Sequence, residues 1–323
     1  SLLEILNDLG ERPVIKLPSE YLSKDSWECQ KIKSGESAVQ SLSVAPSDEV
    51  ALQGVADLLR KDAKGVKEIH IQESSLDLAP IFEGLKVNTN LEALHFSYSK
   101  PEQAQALLDA LADNAKSGIR TLKLKYAGGK PAQTLETAPE LQIAPHTMRK
   151  LHALSIDYAS VKEDAWASIL EKDGQGSSLE RLHLRFPADV ELPSAFQEAE
   201  MGTVALKELT IEGLSLPCIA MQVLSRGLAS VPSLNKLSLK CSPSQNRDCK
   251  IWIGDFLSKN ESVEELHLHG ARFTMDEVLE LARGLGQNFK LQKRYLDDDS
   301  MGYAEQQRLD SFLSTGLSTC KVI

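Results

Sequence analysis

A six-residue pattern that returns at nearly constant intervals limits this chain to very few folds. It consists of an apolar residue, two others, an apolar residue, one other and an apolar residue. It starts at Val39, Val66, Leu91, Ile119, Leu151, Leu179, Leu206, Leu234, Val263 and Leu291. Successive starts lie 27, 25, 28, 32, 28, 27, 28, 29 and 28 residues apart, too regular for chance. The fourth and sixth positions alternate with polar neighbours, as in Leu94-His95-Phe96 and Leu182-His183-Leu184, which is the period of a short strand with one buried face.

Between the strands the period becomes helical. It is clearest over 275–285, where Thr274 or Asp276 can cap the start, and is repeated over 102–114, 220–229 and 252–259. One strand and one helix cannot bury their own apolar faces, so each unit must stack on the next. The expected fold class is therefore α/β: a curved solenoid with a concave parallel sheet and convex helices, because helices are wider than the strand spacing of about 4.8 Å.

The array is expected over residues 36–300, with about ten units. Residues 1–35 fall outside the register. Leu2, Leu3, Ile5, Leu6 and Leu9 predict an amphipathic helix there and Pro13 and Pro18 an extended stretch, together an N-terminal cap. Residues 301–323 are expected to close the other end through a helix carrying Leu309, Phe312, Leu313 and Leu317. In the long 32-residue interval, Gly128-Gly129-Lys130-Pro131, Pro139 and Pro145 predict a loop in place of a full helix.

Segments such as Ile81-Phe82-Glu83-Gly84-Leu85-Lys86-Val87-Asn88-Thr89-Asn90-Leu91-Glu92-Ala93-Leu94 and Asn260-Glu261-Ser262-Val263-Glu264-Glu265-Leu266-His267-Leu268 resemble the ribonuclease-inhibitor class of leucine-rich repeats. That resemblance covers roughly residues 39–300. The class includes enzyme inhibitors, GTPase activators, immune receptors and bacterial effectors, so the resemblance implies a fold more than a function. One departure stands out. Where the class usually has Asn or Cys after the strand, this chain has Ser74, Ser99, Ala127, Ala159, Pro187, Leu214, Ser242 and Ala271. The asparagine ladder expected there is missing, and less uniform ascending loops should follow.

Charge and cysteine content narrow the function. With 36 Lys+Arg against 46 Asp+Glu the net charge is −10, which disfavours nucleic acid as the main partner. No apolar run approaches the roughly 18 residues of a membrane helix. Five scattered cysteines, Cys29, Cys218, Cys241, Cys249 and Cys320, predict free thiols in a reducing, cytoplasmic compartment. The start at Ser1, without a methionine or leader, suggests a trimmed or processed product.

With the register fixed, residues between the buried strand positions should line the concave face. The middle column reads Ser43, His70, His95, Lys123, Ser155, His183, Thr210, Ser238, His267 and Tyr295. With His152 and His269, six of the seven histidines lie on these strands, so the inner surface is expected to change charge near neutrality. His70 and His95 show no third partner of evident ligand type, and no metal or cofactor is expected. Tyr98, Tyr126, Tyr158 and Phe186 share one column just after four consecutive strands, in a chain with only 17 aromatics (Trp 3, Tyr 6, Phe 8). They are expected to form an exposed partner-binding stripe, the competing reading being that they stack to stiffen the loops. Beside them Arg120, Lys123, Lys125, Arg181, His183 and Arg185 make a basic centre, followed by Glu208, Glu212, Glu264 and Glu265. That asymmetry suggests a protein partner with an acidic surface.

No Gly-rich phosphate loop, nucleophile elbow or paired metal motif appears, and no catalytic residue is assigned. The leading expectation is a monomeric, non-enzymatic protein-binding scaffold in the cytoplasm. The sparse cysteines and absent ladder lean toward a bacterial effector acting in a host cell. The alternatives are a GTPase-activating or ubiquitin-pathway adaptor protein and the sensor region of an intracellular immune receptor. Cys320-Lys321-Val322-Ile323 resembles a C-a-a-X prenylation signal, although Lys321 is not aliphatic. Contact with membrane is expected only if Cys320 is lipidated.

Overall fold

The computed structural model describes residues 14–16, 40–61, 65–128, 140–162, 178–186, 205–214, 226–229, 231–241, 251–269, 275–288, 290–296, 303–304, 307, 311 and 321–322. The chain divides into two compact α/β units. One comprises Ser1–Pro131 and Leu141–Asp157, the other Ala132–Glu140 and Tyr158–Ile323.

In the first unit the strands β1 (Val14–Lys16), β2 (Ser41–Val44), β3 (Glu68–Ile71), β4 (Ala93–Tyr98), β5 (Thr121–Tyr126) and β6 (Ala153–Asp157) pair in that order, all parallel. The helices α1 (Glu49–Arg60), α2 (Ala79–Leu85), α3 (Pro101–Asp113) and α4 (Pro145–Lys150) make the crossovers. In the second unit β7 (Arg181–Arg185), β8 (Glu208–Leu214), β9 (Lys236–Cys241), β10 (Glu265–His269), β11 (Lys293–Leu296) and β12 (Lys321–Val322) also pair in order and in parallel. Among its described residues are the helices α5 (Ile251–Lys259) and α6 (Met275–Gln287). β2 to β11 each begin two residues after a hexapeptide start, so the predicted register is the observed one.

The alternation places side chains in columns. In the first unit Leu42, Ile69, Leu94, Leu122 and Leu154 stand opposite one another and are buried, as are Val44, Ile71, Phe96, Leu124 and Ile156. The first hexapeptide position makes a third buried column, including Val66, Leu91, Ile119 and Leu151 here and Leu179, Leu206, Leu234, Val263 and Leu291 in the second unit. Each fully buried aliphatic side chain contributes about 1.5–3 kcal/mol, so these columns are the main source of cohesion. The last register departs from the pattern: Arg294 stands opposite Leu266, where an apolar residue is the rule.

Helix starts follow local chemistry. Asp48 caps α1, its Oδ1 accepting from the Ala51 N–H at 2.8 Å. Pro101 opens α3, and Gln103 Oε1 reaches back to accept from the Lys100 N–H at 3.3 Å. Pro145 likewise opens the short α4; it starts a helix where the sequence suggested a break, because a proline at the first helical position loses no hydrogen bond. Strands sit about 4.8 Å apart while packed helices prefer 8–10 Å, so neighbouring helices crowd. α5 and α6 meet at glycines, and a Cβ on Gly284 would lie 2.4 Å from the Gly254 carbonyl oxygen.

An asparagine follows each of four helices. Asn88, Asn114, Asn260 and Asn288 come after α2, α3, α5 and α6. Their side-chain amides donate backward to the last turn of the preceding helix: Asn88 to Leu59 O (2.9 Å), Asn114 to Leu85 O (2.8 Å) and Asn288 to Leu257 O (2.9 Å), with Asn260 reaching Leu228 O at 3.4 Å. Their oxygens accept from the turn that leads into the next strand, as in Leu91 N–H to Asn88 Oδ1 (2.9 Å) and Val263 N–H to Asn260 Oδ1 (2.7 Å). A ladder therefore exists on the descending side, where it satisfies orphan carbonyls at helix ends. At the ascending position Ser74 does related work, its hydroxyl donating to Pro46 O at 2.8 Å.

The N-terminal helix over Leu2 to Leu9, the helix over 220–225 and most of the C-terminal helix lie outside the described residues. Val14–Lys16 of the extended stretch forms β1, and Tyr303, Ala304, Gln307 and Ser311 are helical.

Replacing Asn260 by Ala leaves the Leu228 carbonyl and the Val263 N–H without their buried partner. We expect a loss of about 2–3 kcal/mol in urea unfolding. An unchanged midpoint would mean that water replaces the amide and that the ladder does not hold the turns.

Candidate functional site: the uncovered strand faces

From β3 to β10 each strand buries one face; the other carries the polar middle column. In the first unit the register runs Ser43, His70, His95, Lys123, Ser155, and in the second His183, Thr210, Ser238, His267, Tyr295, as the sequence predicted. β2 differs in having both faces buried.

On the first unit's face, Glu68, two residues before His70 and so on the same side of the pleat, reaches both histidines. Its Oε1 lies 2.7 Å from His70 Nε2 and 3.4 Å from His95 Nε2. The third partner that sequence reasoning did not find is this carboxylate. The two imidazole rings lie 4.0 Å apart, centroid to centroid. Burial pushes the Glu68 carboxyl upward, but the hydrogen bond from His70, the charges of His70 and His95 and the Ser41 hydroxyl outweigh it and hold the group below the usual carboxylate range. Burial, together with His70 and Lys123, lowers His95 to about 4 against the opposing pull of Glu68. Because His95 is then neutral at physiological pH, the His70 hydrogen bond is the contact that matters for Glu68 there. The expected charge change near neutrality therefore does not include His95.

Lys123 and Lys125 project from β5 and are exposed, with Arg120 exposed just before it. Among the described residues no ion pair involves these three.

Two members of the aromatic column are not exposed. Tyr98 is 0% and Phe186 2% accessible, which corrects the expectation of a four-residue rim. The reason is the pleat. β4 runs on to Tyr98, so the side chain falls in phase with Leu94 and Phe96 and turns inward; Phe186 is in phase with Leu182 and Leu184. Tyr98 donates to the Asp157 carbonyl at 3.0 Å and meets Tyr126 edge-on at 5.6 Å; burial, Asp157 and Tyr126 all raise its hydroxyl. Tyr126 remains half-exposed.

In the second unit Tyr158 is also half-exposed. Its φ of 57° lies in the left-handed region, unusual for a tyrosine, and breaks the alternation. The Arg185 guanidinium sits over the Tyr158 ring at 4.8 Å and 3.6 Å from the Glu212 carboxylate; His183 lies 3.6 Å from the same carboxylate. Arg181 stands opposite Glu208 in the register. Acidic residues therefore interleave with this half of the basic centre, and the charge separation read from the sequence is weaker in this unit. The sequence order hid this, since Arg185 and Glu212 are strand neighbours but 27 residues apart.

β10 repeats the Glu-x-His arrangement. Glu265 accepts from Lys236 at 2.9 Å and pairs with His267, whose ring stacks on Tyr295 at 4.1 Å. The Lys236 hydrogen bond, then that of His267, holds the Glu265 carboxyl below its ordinary value, and the same contact raises Lys236. Cys320 lies outside the described residues; Lys321 and Val322 pair with Lys293 and Arg294. Among the described residues no helix is long and apolar enough to cross a membrane.

No family model matches the chain, and no curated protein matches it.

The Glu265 pair gives a pH test. A carboxyl held below its unfolded value contributes stability that is present above the ordinary carboxyl pKa and lost as pH falls through the folded one. Melting temperature should therefore drop between roughly pH 6 and pH 3, and Glu265→Gln should shrink that drop. Parallel curves for parent and variant would show that the pair adds no stability.

Proposed function

We propose that this protein is a non-enzymatic scaffold of the leucine-rich repeat solenoid type that holds another protein on its strand face. One observation carries the reading. In each unit a register-aligned row of half-exposed polar and charged side chains lies on a sheet face whose opposite face takes the buried columns and the helices. Such a surface is rigid because the columns beneath it are packed, and a rigid surface loses little entropy on binding.

The first unit offers the better docking area. Lys123 and Lys125 favour an acidic partner surface, and half-exposed Tyr126 supplies contact area at low rotamer cost. Tyr98 supports this surface from within and does not bind, and Phe186 is buried within the second unit. Arg185 is engaged by Tyr158 and Glu212, which makes it a weaker candidate for an arginine that acts on a bound GTPase; Arg120 is the stronger one. A cytoplasmic setting, including a host cytoplasm reached by an effector, is part of the same proposal.

The test is affinity capture from cell cytosol, with the retained protein then titrated against the parent chain and variants. Tyr126→Ala with Lys125→Glu should weaken binding by at least about 2 kcal/mol while melting stays nearly unchanged. Tyr98→Ala should instead lower stability by about 3–5 kcal/mol, as expected for a buried aromatic. Undiminished binding by the Tyr126/Lys125 variant would remove this face from the proposal, and acceleration of GTP hydrolysis by a captured GTPase would replace scaffold with activator.

A further inference from the structure

The geometry points to a binding site for a zinc-class divalent cation on the first unit's strand face, with Glu68, His70 and His95 as its three protein ligands. The three ligand atoms already lie within 4.8 Å of one another, and both Nε2 atoms converge on one carboxylate oxygen, at 2.7 and 3.4 Å. Ligand atoms around a tetrahedral ion with bonds of about 2.0–2.1 Å lie about 3.3 Å apart, so small side-chain rotations suffice to admit the ion. This inference does not depend on the scaffold reading.

The fold builds the convergence. Glu68 and His70 are two residues apart on β3 and share a face, while the β3–β4 register sets His95 directly beside His70. The outer side is open, since His70 is 27% and His95 20% exposed, which leaves a fourth position for water or a partner's side chain. On the inner flank, Ser41 stands opposite Glu68 in the β2–β3 register. Ser41 is buried (6% exposed), and its hydroxyl, which already helps hold the Glu68 carboxyl low, backs the carboxylate from the inner side.

The donor set selects the ion. Two imidazoles and one carboxylate suit Zn²⁺ and neighbouring late transition ions, whereas Mg²⁺ and Ca²⁺ call for all-oxygen shells. Lys123 is the opposing charge, standing beside His95 on β5; it lowers the affinity but is exposed and can turn into solvent.

The second unit provides an internal comparison. Glu265-Leu266-His267 has the same spacing on β10, yet the strand on one side places Tyr295 where a second imidazole would be needed. Lys236 at 2.9 Å and Lys293 at 4.0 Å occupy the carboxylate. The same sequence triplet therefore makes a ligand set in one place and an ion-pair cluster in the other, and the adjacent strands decide which.

The experiment is calorimetric titration of Zn²⁺ into the chelator-treated full chain, with thiols blocked so that the five cysteines do not compete. We expect one ion bound per chain, with affinity unaffected by excess Mg²⁺ and at least about tenfold weaker in His95→Gln and in Glu68→Gln. The paired variant Glu265→Gln with His267→Gln should bind as the parent does. Should the ligand variants fail to fold, ¹⁵N-imidazole spectra of the parent chain decide the matter: zinc should shift the resonances of His70 and His95 and leave His267 in place. Absence of stoichiometric binding, binding that survives the loss of both histidines, or shifts confined to other histidines would each overturn the site.

Discussion

The structure depends on reconciling two spacings. Strands want to be about 4.8 Å apart and helices about 8–10 Å, yet a repeat ties one of each together every 25 to 32 residues. Everything on the helical side accommodates this mismatch. Gly254 and Gly284 let α5 and α6 approach within backbone contact. The asparagines after α2, α3, α5 and α6 then bond the preceding helix end to the incoming turn, so that each helix hands its chain to the next strand at a fixed place. Without such anchoring, the apolar columns would have the right composition and no enforced register.

Fixed register is what turns scattered polar residues into surfaces. A strand by itself presents single side chains; only paired strands set His70 beside His95, or Arg185 beside Glu212. Cross-strand neighbours meet at about 4.5–5.5 Å between Cβ atoms, closer than most side chains along one strand face. The chemistry of both units is therefore a property of pairs across strands. It also explains why one Glu-x-His triplet accumulates imidazoles and the other lysines. Each is completed by residues that a linear reading places some 25 to 30 positions away.

Tyr98 and Phe186 are buried because they keep the phase of the leucines before them, whether the strand reaches them, as β4 does, or stops one residue short, as β7 does. When β4 continues to Tyr98, the tyrosine joins the core and its hydroxyl must find a buried acceptor, which the Asp157 carbonyl supplies. When the chain instead takes a left-handed step at Tyr158, the ring leaves the alternation and stacks under Arg185. A single backbone step thus separates an interior aromatic from a surface one.

The amino-acid sequence by itself determined the strand register, the α/β class and the identity of the outward column, because a period of two inside a period near 28 admits one arrangement of buried leucines. It also contained the asparagine signal as Leu-x-x-Asn at Leu85 to Asn88, Leu111 to Asn114, Leu257 to Asn260 and Leu285 to Asn288, on the descending side of the repeat. Glu68 was likewise readable as a same-face neighbour of His70. What only the tertiary structure decided was the fate of residues whose setting is made by other strands: the inward turn of Tyr98 and Phe186, the pairing of Arg185 with Glu212, and the convergence of Glu68 on two histidines. Those outcomes depend on how far the strand phase persists past the hexapeptide and on what the neighbouring strand places opposite, and the hexapeptide alone carries neither.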